Sequence, residues 1–121
     1  MRRWGIILSV VTRVAMTVEA ELVLNAGEDA RAPGGQVTVA LCGHWEHDGP
    51  CRWPHNSRID TSTQPLRLRT VVVVDDDERA EISRMIEAAL RDDDRWSVLR
   101  IATGPVADED RALADRLAQS P

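Results

Sequence analysis

Leu66-Arg67-Leu68-Arg69-Thr70-Val71-Val72-Val73-Val74-Asp75 runs directly into Asp76-Asp77-Glu78-Arg79-Ala80-Glu81-Ile82-Ser83-Arg84-Met85-Ile86-Glu87-Ala88-Ala89-Leu90-Arg91. The first part reads as a strand over 66–74. Its close in four consecutive valines is what a strand covered on both faces requires. The second part reads as a helix. Asp75 to Glu78 place acceptors and negative charge where a helix has free N–H groups and the positive end of its dipole. Ile82, Met85, Ile86, Ala89 and Leu90 then recur at the spacing of one buried helical face. Asp92-Asp93-Asp94 closes the element. A strand followed at once by a helix points to mixed α and β structure.

Working outward, residues 17–25 alternate, with Val18, Ala20, Leu22 and Leu24 on one face and Glu19, Glu21 and Asn25 on the other. That is a half-buried strand. Ala32-Pro33-Gly34-Gly35 is turn material. Gln36 to Cys42 alternates again through Val37, Val39 and Leu41, which predicts a second strand. The chain is then polar to Gln64-Pro65. Beyond the helix, Trp96 to Thr103 predicts a strand, Gly104-Pro105 a break, and Asp108 to Gln119 a last helix with Leu113 and Leu117 inward. The expected order is β-β-β-α-β-α. This is an α+β single domain, a sheet of about four strands covered by two helices, with a long Cys/His loop between strands 2 and 3. The strands flanking the first helix are expected to pair in parallel through a crossover.

The 121 residues suit one domain with a modest core. There is no Phe or Tyr, so Val, Leu, Ile, Ala, Met and four Trp must fill it. All fifteen basic residues are Arg, the net charge is −5, and no basic run exists. A nucleic-acid surface that tracks phosphates needs a positive stripe, so nucleic acid is not an expected partner. No stretch has the eighteen or so apolar residues of a membrane span. Arg2-Arg3 followed by Trp4 to Val11, with Val18-Glu19-Ala20 beyond, has the outline of a signal peptide. Yet Arg13 interrupts the exit of the apolar run, and cleavage after Ala20 would halve a good strand. Residues 1–15 are therefore expected to be a leader or an over-called start, outside a fold spanning 16–121. The expected compartment is the cytoplasm, with secretion the alternative.

Val71 to Glu78 resembles the opening of a response-regulator receiver domain, whose acidic residues at the first strand end bind Mg²⁺. The resemblance covers only that strand end and the helix after it. The chain has no Lys and too little length for the remaining strand–helix units, so Asp75, Asp76 and Asp77 are read as a capping cluster, with a weak divalent-cation site as the alternative.

Every Cys and His lies between 42 and 55: Cys42-Gly43-His44-Trp45-Glu46-His47-Asp48-Gly49-Pro50-Cys51-Arg52-Trp53-Pro54-His55. Zinc takes four thiolate or imidazole ligands in a tetrahedron. The expected set is Cys42, His44, Cys51 and His55, with His47 spare or exchanging with one of them. Pro50 and Pro54 stiffen the loop and lower the entropy lost on ordering it. The plainer readings are an inert loop, a small buried thiol, or a Cys42–Cys51 disulfide in an oxidising compartment. His44-Trp45-Glu46 and Pro50-Cys51 look similar to the half-motifs of zinc deaminases, but Pro54 stands where the second cysteine belongs. The H-E-x-x-H order of zinc proteases is absent.

The sequence thus predicts a small metal-binding protein, with zinc held mainly for structure. Its role is binding or interaction with a protein partner or a small molecule. An alternative is a small zinc-dependent hydrolase or lyase, with three residues on the metal, water at the fourth position and Glu46 as general base. A third reading is a metal-free interaction domain with a Trp-rich loop.

Overall fold

The computed structural model describes residues 12–43 and 52–119. The chain forms β1 (Arg13–Leu24), α1 (Ala32–Cys42), β2 (His55–Asp60), β3 (Leu66–Asp75), α2 (Arg79–Arg91), β4 (Trp96–Gly104) and α3 (Arg111–Ala118). The four strands make one antiparallel sheet in the order β2-β3-β1-β4. Two β-α-β units, β1-α1-β2 and β3-α2-β4, interleave so that β3 and β1 are the central strands, a split β-α-β arrangement. The α+β class and the four-stranded sheet match the sequence reading, but three of its details are corrected.

First, residues 36–42 are helical. Pro33 sits at the start of α1, where its missing N–H costs nothing and its fixed φ suits the helix. Pro33, Val37 and Leu41 recur every four residues and are all buried, whereas Val39 is only partly so. Val37 and Leu41, which share one face in a strand, thus also share one face in a helix, and Val39 does not. Gly43 ends α1 with φ of 82°, a left-handed conformation that favours glycine, and its N–H reaches Val39 O. Gly34 marks a close approach. A β-carbon there would stand 3.4 Å from Ser57 Cβ, so the helix lies close on β2.

Second, the polar stretch between α1 and β3 is not all loop but contains a strand, His55–Asp60, at one sheet edge. Third, β3 and β4 do not pair in parallel. β1 lies between them and is antiparallel to both. With α1 included, three helices rather than two cover the sheet among the described residues. In addition β1 starts at Arg13, with Val14 opposite Val74 and Ala15 opposite Val73, so a boundary at 15/16 falls inside it. Residues 1–11 lie outside the described residues.

One sheet face carries Met16, Val18, Ala20, Leu22, Leu68, Val72 and Val74. Against it pack Val37 and Leu41 of α1 and the expected α2 face of Ile82, Ile86 and Leu90. Each Val, Leu, Ile or Met among them contributes about 1.5–3 kcal/mol on burial. Trp96 closes this core, and its buried indole N–H donates to Leu90 O at 2.9 Å, tying β4 to the end of α2. The opposite face is divided. Beside α3, Thr17, Val71 and Val73 are buried along with Ala114. Beyond it, the sheet is polar and open.

Candidate functional site

The Cys/His segment connects α1 to β2. Two of its five candidate ligands, Cys42 and His55, lie among the described residues. His44, His47 and Cys51 lie outside them, as does Glu46. Cys42 is the last residue of α1 and packs, half-buried, against the core. It is disulfide-bonded, and the sequence has one other cysteine, Cys51. A sulfur in a disulfide is not a thiolate, so Cys42 can serve a metal only after reduction.

His55 is the first residue of β2. Its Nδ1 is 3.0 Å from Trp53 O. A carbonyl only accepts, so Nδ1 carries the proton and donates. Its Nε2 is 3.1 Å from Thr38 Oγ1. Thr38 lies one helical turn before Cys42, on the same side of α1. The helix thus brings Cys42 and the His55 ring to one region of the α1–β2 junction. That junction opens into a cleft of about 360 Å³ lined by Arg31, Gly34, Thr38, His55, Ser57 and Ile59, among others. Thr38 and Ser57 had no place in the sequence reading. The four-residue step from Thr38 to Cys42 has meaning only once 36–42 is known to be helical.

The far end of the segment is held by Glu78. One carboxylate oxygen pairs with Arg52 and the other accepts from the Trp53 indole N–H at 3.1 Å and from Asp75 N–H at 3.2 Å. The bonds from Arg52 and then Trp53 hold the Glu78 carboxyl below the ordinary glutamate range. The Arg52 guanidinium also sits 5.0 Å from the centre of the Trp53 ring. Trp53 packs against the main core, while Trp45 lies outside the described residues. Pro54 O accepts from Val73 N–H at 2.9 Å, so pairing with β3 begins one residue before β2.

The acidic run Asp75 to Glu78 forms the strand end and one 3-10 turn before α2. Among the described residues, no group of three or more His, Cys, Asp or Glu side chains is placed to hold a metal ion. No helix among them is long and apolar enough to cross a membrane. Comparison with protein-family profiles, with curated proteins and with solved structures finds no match to this chain.

Proposed function

We propose that this chain is a small binding protein whose Cys/His segment is a thiol-dependent metal site. Reduced Cys42 and Cys51, with His55 and either His44 or His47, would take one zinc ion. Oxidised, the two cysteines would form the disulfide, passing two electrons and two protons to an external disulfide such as oxidised glutathione. The observation that carries the reading is the His55 ring. Its Nδ1–H is committed to a backbone carbonyl, which is how metal-binding imidazoles are usually oriented. Its Nε2 meets Thr38, one turn from Cys42 on the same helix. Two thiolates and two neutral imidazoles would leave Zn²⁺ nearly neutral, which suits a structural site between helix and strand. A cytoplasmic location would favour the reduced form and secretion the disulfide.

The second reading, a metal-free interaction domain, is favoured by the disulfide at Cys42. It would present the 42–55 segment to a protein partner, fixed by a covalent closure at one end and by Glu78 at the other.

Metal analysis of untagged full-length protein separates the two. Protein reduced and supplied with zinc should carry one zinc per chain, and protein oxidised beforehand should carry almost none. Cys51→Ser and His55→Ala should each abolish stoichiometric binding. Reduced protein carrying far less than one zinc would sink the metal site and leave the disulfide-closed interaction domain.

A further inference from the structure

The open half of the sheet, on the face away from α1 and α2, carries charges in an ordered row. Asp60 of β2 stands opposite Arg67 of β3, Arg67 opposite Glu21 of β1, and Glu21 opposite Arg100 of β4. Directly paired residues share a face, so four strands present −, +, −, + in one line. The next row is consumed internally. Arg69 pairs with Glu19 and Asp110, each at 3.0 Å, and Arg58 pairs with Asp110 at 2.6 Å. In the first row, the Asp60 carboxylate is taken by the backbone N–H and hydroxyl of Ser62. Arg67, Glu21 and Arg100 enter no ion pair among the described residues, although they are register neighbours. They border a cleft of about 240 Å³ together with Glu19, Arg69 and Ala102.

We propose that this cleft binds an acidic α-amino acid. Two guanidinium groups flank one carboxylate, on strands about 10 Å apart across β1. The complement is a molecule with two carboxylates and one ammonium. Its acid groups would engage Arg67 and Arg100, each able to bind a carboxylate in a two-pronged fashion. Its ammonium would lie over Glu21. A simple anion meets the repulsion of Glu21 and Glu19, and a phosphate backbone finds no continuous positive track here. The cleft is smaller than the roughly 300–1,000 Å³ of pockets for drug-sized ligands, which suits a ligand of amino-acid size.

Titration of full-length protein with L-glutamate, followed by calorimetry and by the backbone amide signals of β1 and β4, tests the idea. Saturable binding is expected with a Kd below about 1 mM, an affinity worth about 4 kcal/mol. Glutarate, which has the same two acids without the amine, should bind at least about ten-fold more weakly. Arg67→Gln and Arg100→Gln are exposed changes that should leave the melting temperature unchanged and weaken binding by a similar factor. Absence of saturable binding, equal affinity for glutarate, or indifference to both substitutions in folded protein would overturn the assignment. None of these residues belongs to the Cys/His segment, so the result is independent of whether zinc binds.

Discussion

Asp110 and Arg58, fifty-two positions apart, are joined by a hydrogen bond of 2.6 Å from Nη2 to Oδ1. The second carboxylate oxygen of Asp110 accepts from Arg69 Nη1 at 3.0 Å. Asp110 is 1% exposed. It stands just before α3, at the position where an acid ordinarily caps a helix, but its side chain makes no cap bond. It turns instead to the sheet and fastens α3 to β2 and β3. Asp110→Asn should therefore cost about 1.5–3 kcal/mol, the range for hydrogen bonds to charged groups. The arginines remain partly exposed and can recover water, which keeps the loss below that of a fully buried pair. Urea unfolding of the variant measures this, and a change under about 0.5 kcal/mol would show that α3 docks without the carboxylate.

Thr17 is buried beneath α3, and its hydroxyl oxygen has no hydrogen-bond partner among the described residues. Thr17→Val keeps the shape and removes the unmet polar group. It should stabilise the fold by about 1 kcal/mol. A raised denaturation midpoint at unchanged slope is the expected result, and a lowered midpoint would reveal a partner for the hydroxyl.

Glu78 links the acidic turn to Arg52 and Trp53, and its carboxyl titrates below the ordinary range because of those bonds. A depressed folded-state pKa means that folding favours the ionised form. The resulting stability is fully present above the unfolded value, about 4.3, and fades as pH falls through the folded one. Melting temperatures of wild type and Glu78→Gln should differ at neutral pH and converge in acid. A gap independent of pH would assign the effect to packing of Trp53 alone.

The start of β1 gives a test by truncation. A chain beginning at Met16 loses the pairs Arg13–Asp75, Val14–Val74 and Ala15–Val73, together with the packing of Val14 against the core. Its melting temperature should fall by at least about 4 °C, the shift for 1 kcal/mol in a domain of this size. An unchanged value would show that residues 13–15 contribute nothing to stability.

Zinc binding to the reduced segment should release protons, because thiolate is the ligand form, and should therefore weaken as pH falls. Adding chelator to the loaded protein should loosen the 42–55 segment and shift Trp emission to longer wavelength through Trp53, while the α2 core persists. His47→Ala should retain zinc if His47 is the spare residue. Zinc affinity that is flat between about pH 5 and 8 would exclude thiolate ligation.

Several elements were legible in the sequence because each has one period and one buried face. The valine run of β3, the Ile82–Ile86–Leu90 face of α2 and the Val18–Ala20–Leu22 face of β1 all occupy the expected places. The clustering of every Cys and His between 42 and 55 is likewise a property of the sequence alone. What tertiary structure decided lies where local pattern is ambiguous or weak. Val37, Val39 and Leu41 fit a strand, whereas Pro33, Val37 and Leu41 fit a helix, and the helix prevails because those three stack on one side and bury together. The segment His55-Asn56-Ser57-Arg58-Ile59-Asp60 has one aliphatic residue and no strand signal of its own. It becomes β2 because β3 supplies its backbone partners across a turn. The Asp60–Arg67–Glu21–Arg100 row is spread over four strands and exists only in the register of the sheet. A helix face or a lone strand is encoded by neighbours in sequence, whereas an edge strand and a cross-strand charge row depend on contacts between residues distant along the chain.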